Sequence, residues 1–292
     1  MPTPARSGLR QVVADYVELT KPKVQSLLLL TTVATMYVAG DPSIGLVLLT
    51  VIGGYLSAGG AAAVNHWYDR DVDALMARTA NRPVPSGRVS PAAALTYGIA
   101  LATLSFVLMS LTINVLAASM ALAGFVSYVG VYTIWLKRRT SQNIVIGGAA
   151  GAFPVLAGWA AVTGELSGTA LYLFAIVFFW TPPHFWALSL LMKDEYAKVG
   201  IPMLPVVRGE QETRKQILLY TLLLYAVTQL PFCAHAFGAV YLVASLVLGV
   251  GFIAGAVLLY RRADRQTALK LYLYSLAYLA LLFCAMVLDA QL

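Results

Sequence analysis

The sequence predicts an all-α, polytopic membrane protein of about nine transmembrane helices, with its N-terminus cytoplasmic and its C-terminus outside. Three observations predict it. Of 292 residues, 60% are hydrophobic and 11% charged, against about 25% charged in ordinary soluble domains. Apolar runs near the length needed to cross a bilayer recur at 24–40, 43–64, 92–112, 115–135, 144–162, 169–191, 216–237, 239–260 and 269–288. All 20 Lys and Arg fall in alternate connections, which by the positive-inside rule marks those connections as cytoplasmic.

The elements follow in order. Residues 1–23 read as a cytoplasmic segment: Arg6, Arg10, Lys21 and Lys23 are basic, and Leu9, Val12, Val13, Tyr16 and Val17 recur at helical spacing, the pattern of a short interfacial helix. Residues 24–292 read as one transmembrane domain. Arg70, Arg78, Arg82 and Arg88 follow the second span, Lys137, Arg138 and Arg139 the fourth, Lys193 through Lys215 the sixth, and Arg261 through Lys270 the eighth. The connections near Asp41, Ile113, Glu165 and His235 carry neither Lys nor Arg. The first 23 residues lack an apolar h-region, so neither a signal peptide nor a long targeting extension is expected. The simplest home is then a bacterial inner membrane.

A net charge of +7 is spread over five cytoplasmic segments without a continuous patch, which argues for orientation and anionic lipid and against nucleic acid. Cys233 and Cys284 have no metal-ligand spacing and read as apolar packing residues. No Walker loop, dinucleotide fingerprint, zinc motif or nucleophile elbow is present.

Two acidic clusters carry the chemistry. The second span runs into Asn65-His66-Trp67-Tyr68-Asp69-Arg70-Asp71-Val72-Asp73. Positions 65, 69 and 73 are four apart, so a continuing helix stacks one amide and two carboxylates on one face. Like charges so placed need compensation, and a hard cation such as magnesium, with oxygen ligands, supplies it. Arg78 and Arg82 follow at once, and Pro83, Pro85 and Gly87 force a compact loop. Arg forks suit phosphate oxygens, so the segment reads as metal plus diphosphate, or equally as a solvated loop that neutralises itself. The second cluster, Lys193-Asp194-Glu195-Tyr196-Ala197-Lys198, places Asp194 four residues before Lys198, as in an ordinary surface ion pair or a second half of the same site.

The sixth span contains Trp180-Thr181-Pro182-Pro183-His184-Phe185-Trp186. Paired prolines should bend the helix, and an intramembrane His beside them is either functional or an interhelical hydrogen bond. The aromatic residues read as packing. In the fifth span Gly147, Gly148, Gly151 and Gly158 allow close helix approach, and Asn143 at its mouth could touch a polar substrate group.

These residues resemble the haem-farnesylating branch of the UbiA-type intramembrane prenyltransferases. The likeness runs through Leu19 to Lys23, Asn65 to Pro83, Asn143 to Trp159, Thr181 to Trp186 and Asp194 to Pro205. It implies helices around a central cavity in which a farnesyl group passes from farnesyl diphosphate to a vinyl group of haem b, giving haem O for haem–copper oxidases. Haem b would be a substrate, and Mg2+ the cofactor. Asn65, Asp69, Asp73 and Asp194 would be the catalytic metal ligands. Arg78, Arg82, Lys137, Arg139 and Lys198 would bind diphosphate, Lys198 standing where many members have a second carboxylate. His184, Trp180 and Asn143 would border the haem, with His184 near its iron. Implied partners are membrane lipid and haem A synthase or oxidase assembly factors. The competing readings are a prenyltransferase for an aromatic or quinone precursor, and a secondary transporter.

Overall fold

The computed structural model describes residues 8–292; Arg6 and the rest of 1–7 lie outside the described residues. The described residues form helices joined by short connections, without a strand. In chain order these are α1 (Leu9–Leu19), α2 (Pro22–Ala39), α3 (Ile44–Tyr68), α4 (Arg70–Leu75), α5 (Pro91–Thr112), α6 (Val115–Leu136), α7 (Asn143–Thr163), α8 (Gly168–Leu191), α9 (Lys193–Lys198), α10 (Leu204–Val207), α11 (Gly209–Cys233), α12 (Ala239–Arg262) and α13 (Arg265–Ala290).

Helix starts follow from local chemistry. Ser43, Ser90, Asn114, Ser167 and Asp264 each accept a backbone N–H from the first turn of α3, α5, α6, α8 and α13, satisfying donors a helix leaves free. Pro22 and Pro91 sit at first helical positions, where a missing N–H is harmless. α8 continues through Pro182 and Pro183, which membrane helices tolerate.

Eight helices, α3, α5, α6, α7, α8, α11, α12 and α13, are long and apolar enough to span a bilayer. α2 has 18 residues and opens on Pro22, Lys23, Gln25 and Ser26, so its polar first turn shortens the apolar length. Among the described residues, α3, α5, α6, α7, α8, α11, α12, α13 and α2 each pack on the next to close a ring. Contacts of α2 with α7 and of α8 with α13 cross it, so the expected central cavity is partly filled by helix. Large apolar side chains such as Leu111, Val243, Val247 and Leu281 point outward, while Ser57, Ser105, Thr228 and Ser245 are buried; this inversion suits lipid, where buried polar groups bond across helices. Cys233 and Cys284 are free and exposed, so they lie on the outer surface and do not pack inside.

Small residues set a close crossing of α3 and α5. A Cβ at Gly60 would lie 2.6 Å from the Gly98 carbonyl oxygen, and one at Gly98 would lie 2.8 Å from that of Gly60. α3 and α5 therefore touch backbone to backbone, which fixes the end of α3 where Asn65 begins the acidic column.

α1 forms where the periodicity places it. Leu9, Val12, Val13 and Val17 are exposed, the kind of apolar face an interfacial helix presents. Asp15, 2% exposed, turns inward to accept Arg88 Nε at 2.8 Å. Tyr16 packs edge-on against Tyr97.

Candidate active site

α3 ends at Asp69, whose backbone leaves helical geometry, and α4 restarts at Arg70. The four-residue spacing survives the break: Asp69 N–H donates to Asn65 O at 2.9 Å and Asp73 N–H to Asp69 O at 2.7 Å. Asn65, Asp69 and Asp73 thus stand in one buried column, at 3%, 0% and 4% exposure. Burying two carboxylates is costly unless cations meet them, and cations do. Lys21 Nζ donates to Asn65 Oδ1 at 2.7 Å. Lys137 Nζ pairs with Asp69 Oδ2, and Arg82 Nη1 meets Asp73 Oδ2 at 2.7 Å. Asn65 Nδ2 ties the column together, reaching Asp69 Oδ2 at 2.7 Å and Thr133 Oγ1 at 3.2 Å.

Lys21 and Lys137 are placed by unusual backbone. Lys21 is in the left-handed region at φ 53°, uncommon for a side chain of that size and a mark of strain stored at a site. Burial, then repulsion from Arg82 and Lys137, pulls its ammonium down to about 7. α6 widens to i→i+5 bonding over Ser127–Leu136, a rare geometry concentrated at functional sites. Its last bond runs from Lys137 N–H to Tyr132 O at 2.8 Å, and the same stretch supplies Thr133.

Several expected residues sit elsewhere. Arg139 is exposed and joins no ion pair among the described residues; its neighbour Arg138 does, crossing to Asp69 Oδ1 at 3.3 Å and gripping both Asp71 oxygens at 2.7 Å. That guanidinium holds Asp71 down at about 2. Asp194 and Lys198 do not pair, and both are exposed. The reason is the face of α9: its buried side is taken by Tyr196 and part of Glu195, and Lys193 bonds Glu210 instead. Among the described residues no three His, Cys, Asp or Glu side chains gather as a ready metal-ligand group. Glu195 Oε2, by contrast, is buried without a partner. Tyr196 beside it has Arg78, Lys137 and Arg82 as cationic neighbours, which brings α9 and exposed Arg78 to the column's edge.

The residues expected near haem are packed. His184 shares a hydrogen bond between Nδ1 and Ser275 Oγ at 2.7 Å and stacks between Trp180 and Tyr272, with ring centroids 4.2 and 4.9 Å away. Trp180 Nε1 donates to Ser275 O at 2.8 Å. This is the interhelical alternative, clamping α8 to α13. Asn143, the first residue of α7, is fully buried; its Nδ2 donates to Lys137 O at 3.2 Å, leaving Oδ1 unpartnered.

The UbiA prenyltransferase family model matches residues 27–284, and the chain belongs to that family. Among its relatives is a protoheme IX farnesyltransferase from Roseiflexus sp. (strain RS-1), 54% identical over 97% of this chain and 53% of that protein. Another of the same name, from Symbiobacterium thermophilum, is 53% identical over 96% of this chain and 95% of its own length. The chain spans about half the length of the first of these relatives and nearly all of the second. In fold it is similar to a UbiA homolog from Archaeoglobus fulgidus bound to DMAPP and Mg2+, with TM-score 0.69, 17% identity and 93% and 99% of the two chains covered.

Proposed function

We propose that the protein transfers the farnesyl group of farnesyl diphosphate to a vinyl group of haem b, making haem O in a bacterial inner membrane. The observation that carries the reaction type is the buried Asn65–Asp69–Asp73 column met at each member by a cation. The haem acceptor is supported by two relatives at 53–54% identity that bear the farnesyltransferase name.

The column fits magnesium. Its donors are one amide oxygen and two carboxylates, hard ligands in the number magnesium takes while keeping sites for water and phosphate. The orphaned Glu195 Oε2 lies on α9 next to Tyr196, whose cationic neighbours include Lys137 and Arg82 of the column. Asn65, Asp69 and Asp73 would hold the ion, with Asp194 a further ligand from the exposed rim; bound there, magnesium supplies positive charge to the diphosphate as its carbon–oxygen bond breaks.

The chain's own residues do the rest. Lys21, Arg82, Lys137 and Arg138 converge on the column and offer donors to diphosphate oxygens, while Arg78, Arg139 and Lys198 add charge from the exposed side. The bond's electron pair leaves with diphosphate. The vinyl π electrons then bond the allylic carbon, and water captures the haem-side cation with loss of a proton, leaving a hydroxyethylfarnesyl group. Tyr132 and Tyr196 narrow water's access beside the column, protecting the cation from early capture. Serving haem iron from His184 leaves Nε2 as the free nitrogen, because Ser275 occupies Nδ1; Trp180 braces the ring and Asn143 borders the pocket.

Titration of purified protein with each substrate tests the arrangement. Farnesyl diphosphate should bind only with magnesium present, and haem b with or without it. Metal-independent diphosphate binding would contradict the role given to the column.

A further inference from the structure

His66 follows Asn65 in the last turn of α3 and is 1% exposed. Neither ring nitrogen has a hydrogen-bond partner. A neutral imidazole carries one N–H donor and one acceptor, and keeping both buried and unpaired is costly. A ring retained in that state points to a partner from outside the chain. No hydrogen bond from the described residues reaches either nitrogen, and the charged groups around the ring are Lys21, Arg82 and Lys137, which as cations only donate. Those three cations engage Asn65, Asp73 and Asp69, which sets His66 beside the column. The partner is therefore an anion whose oxygens can enter among three cations.

We infer that His66 is a direct ligand of the diphosphate, donating its N–H to a diphosphate oxygen held among Lys21, Arg82 and Lys137. The cations supply charge, and His66 supplies a directed neutral donor that fixes how the group is turned. This rests on the diphosphate reading of the column and adds a contact of a different kind to it. The second ring nitrogen accepts from water or from an ammonium released when the anion arrives.

The test uses the full-length protein in nanodiscs of neutral lipid, with magnesium, and the variants His66→Phe, His66→Ala and His66→Gln. Two quantities are measured: the melting temperature without ligand, and affinity for inorganic diphosphate and farnesyl diphosphate. His66→Phe, which fills the same space without unpaired nitrogens, should melt higher than the parent yet bind both anions at least about tenfold more weakly, the worth of one hydrogen bond to a charged group. His66→Ala should lose affinity similarly, and His66→Gln, which keeps an N–H donor, should stay within about threefold of the parent. Haem titration should not change in any of them. Parent-like anion affinity in His66→Phe or His66→Ala overturns the inference and leaves His66 with a buried water. A lower melting temperature alongside lost affinity in both, unrelieved in His66→Gln, also overturns it, since that is what a packing residue would give. A parent protein that binds neither anion refutes the diphosphate reading itself.

Discussion

Asp69 meets two cations and Asp73 a third, so each carboxylate balances buried positive charge and, in the proposed reaction, would also present oxygen to a metal. Alanine at either site would leave cations buried without a partner, a loss of about 3–5 kcal/mol in stability, and would confuse folding with function. Asparagine separates them. Asp69→Asn and Asp73→Asn should each lower transfer by about 100-fold or more while the protein stays folded and inserted; parent-like turnover would remove that residue from the site. Asp194→Asn should have a smaller effect, because Asp194 is exposed and outside the column. At His184 the expectation is spectroscopic. Ser275→Ala removes the partner of Nδ1, freeing the ring, so it should broaden or shift the Soret band of bound haem without altering farnesyl diphosphate affinity. An unchanged spectrum in both Ser275→Ala and His184→Ala would leave His184 as a clamp between α8 and α13.

At the scale of elements, the α3–α5 crossing holds the acidic column in place. Gly60→Ala puts a Cβ against a backbone carbonyl 2.6 Å away, which no rotamer change relieves, and overpacking of this kind costs about 1–3 kcal/mol. The variant should melt lower in detergent and lose diphosphate affinity in the same measurement; a parent-like melting curve would mean the crossing is looser than the structure shows. This scale also shows what the sequence could disclose. Asn65, Asp69 and Asp73 were legible as a column because four-residue spacing outlasts a helix break, and Arg82 as a cation beside it because Pro83, Pro85 and Gly87 hold its loop close. Lys21, Thr133 and Arg138 were not, since their roles depend on a left-handed residue and a widened helix that periodicity does not encode. That Arg138 and not Arg139 reaches Asp69 was hidden for the same reason: i→i+5 bonding turns the end of α6, and with it the face each residue presents. Asp194 and Lys198 fit a surface pair by spacing, yet Tyr196 claims the buried side of a six-residue helix and leaves both facing solvent. Glu195 and His66 could be found only as buried atoms without partners.

For the whole molecule, apolar length located eight of the nine expected spans, and helical spacing located α1, because these depend on composition and periodicity and not on side-chain packing; the charge asymmetry carries the cytoplasmic assignment of the basic end as an expectation. They did not reveal the contacts that cross the ring. Reporter fusions after Leu292 and within residues 208–214 should report opposite sides of the membrane; the same side for both would break the nine-span count, most simply at α2. The central claim is the reaction. Purified protein, haem b, farnesyl diphosphate and magnesium should yield haem whose mass has gained one farnesyl group and one hydroxyl group, and the Asp69→Asn protein should yield none in the same time. Unmodified haem from the parent protein, with farnesyl found instead on an added aromatic acid, would contradict the account.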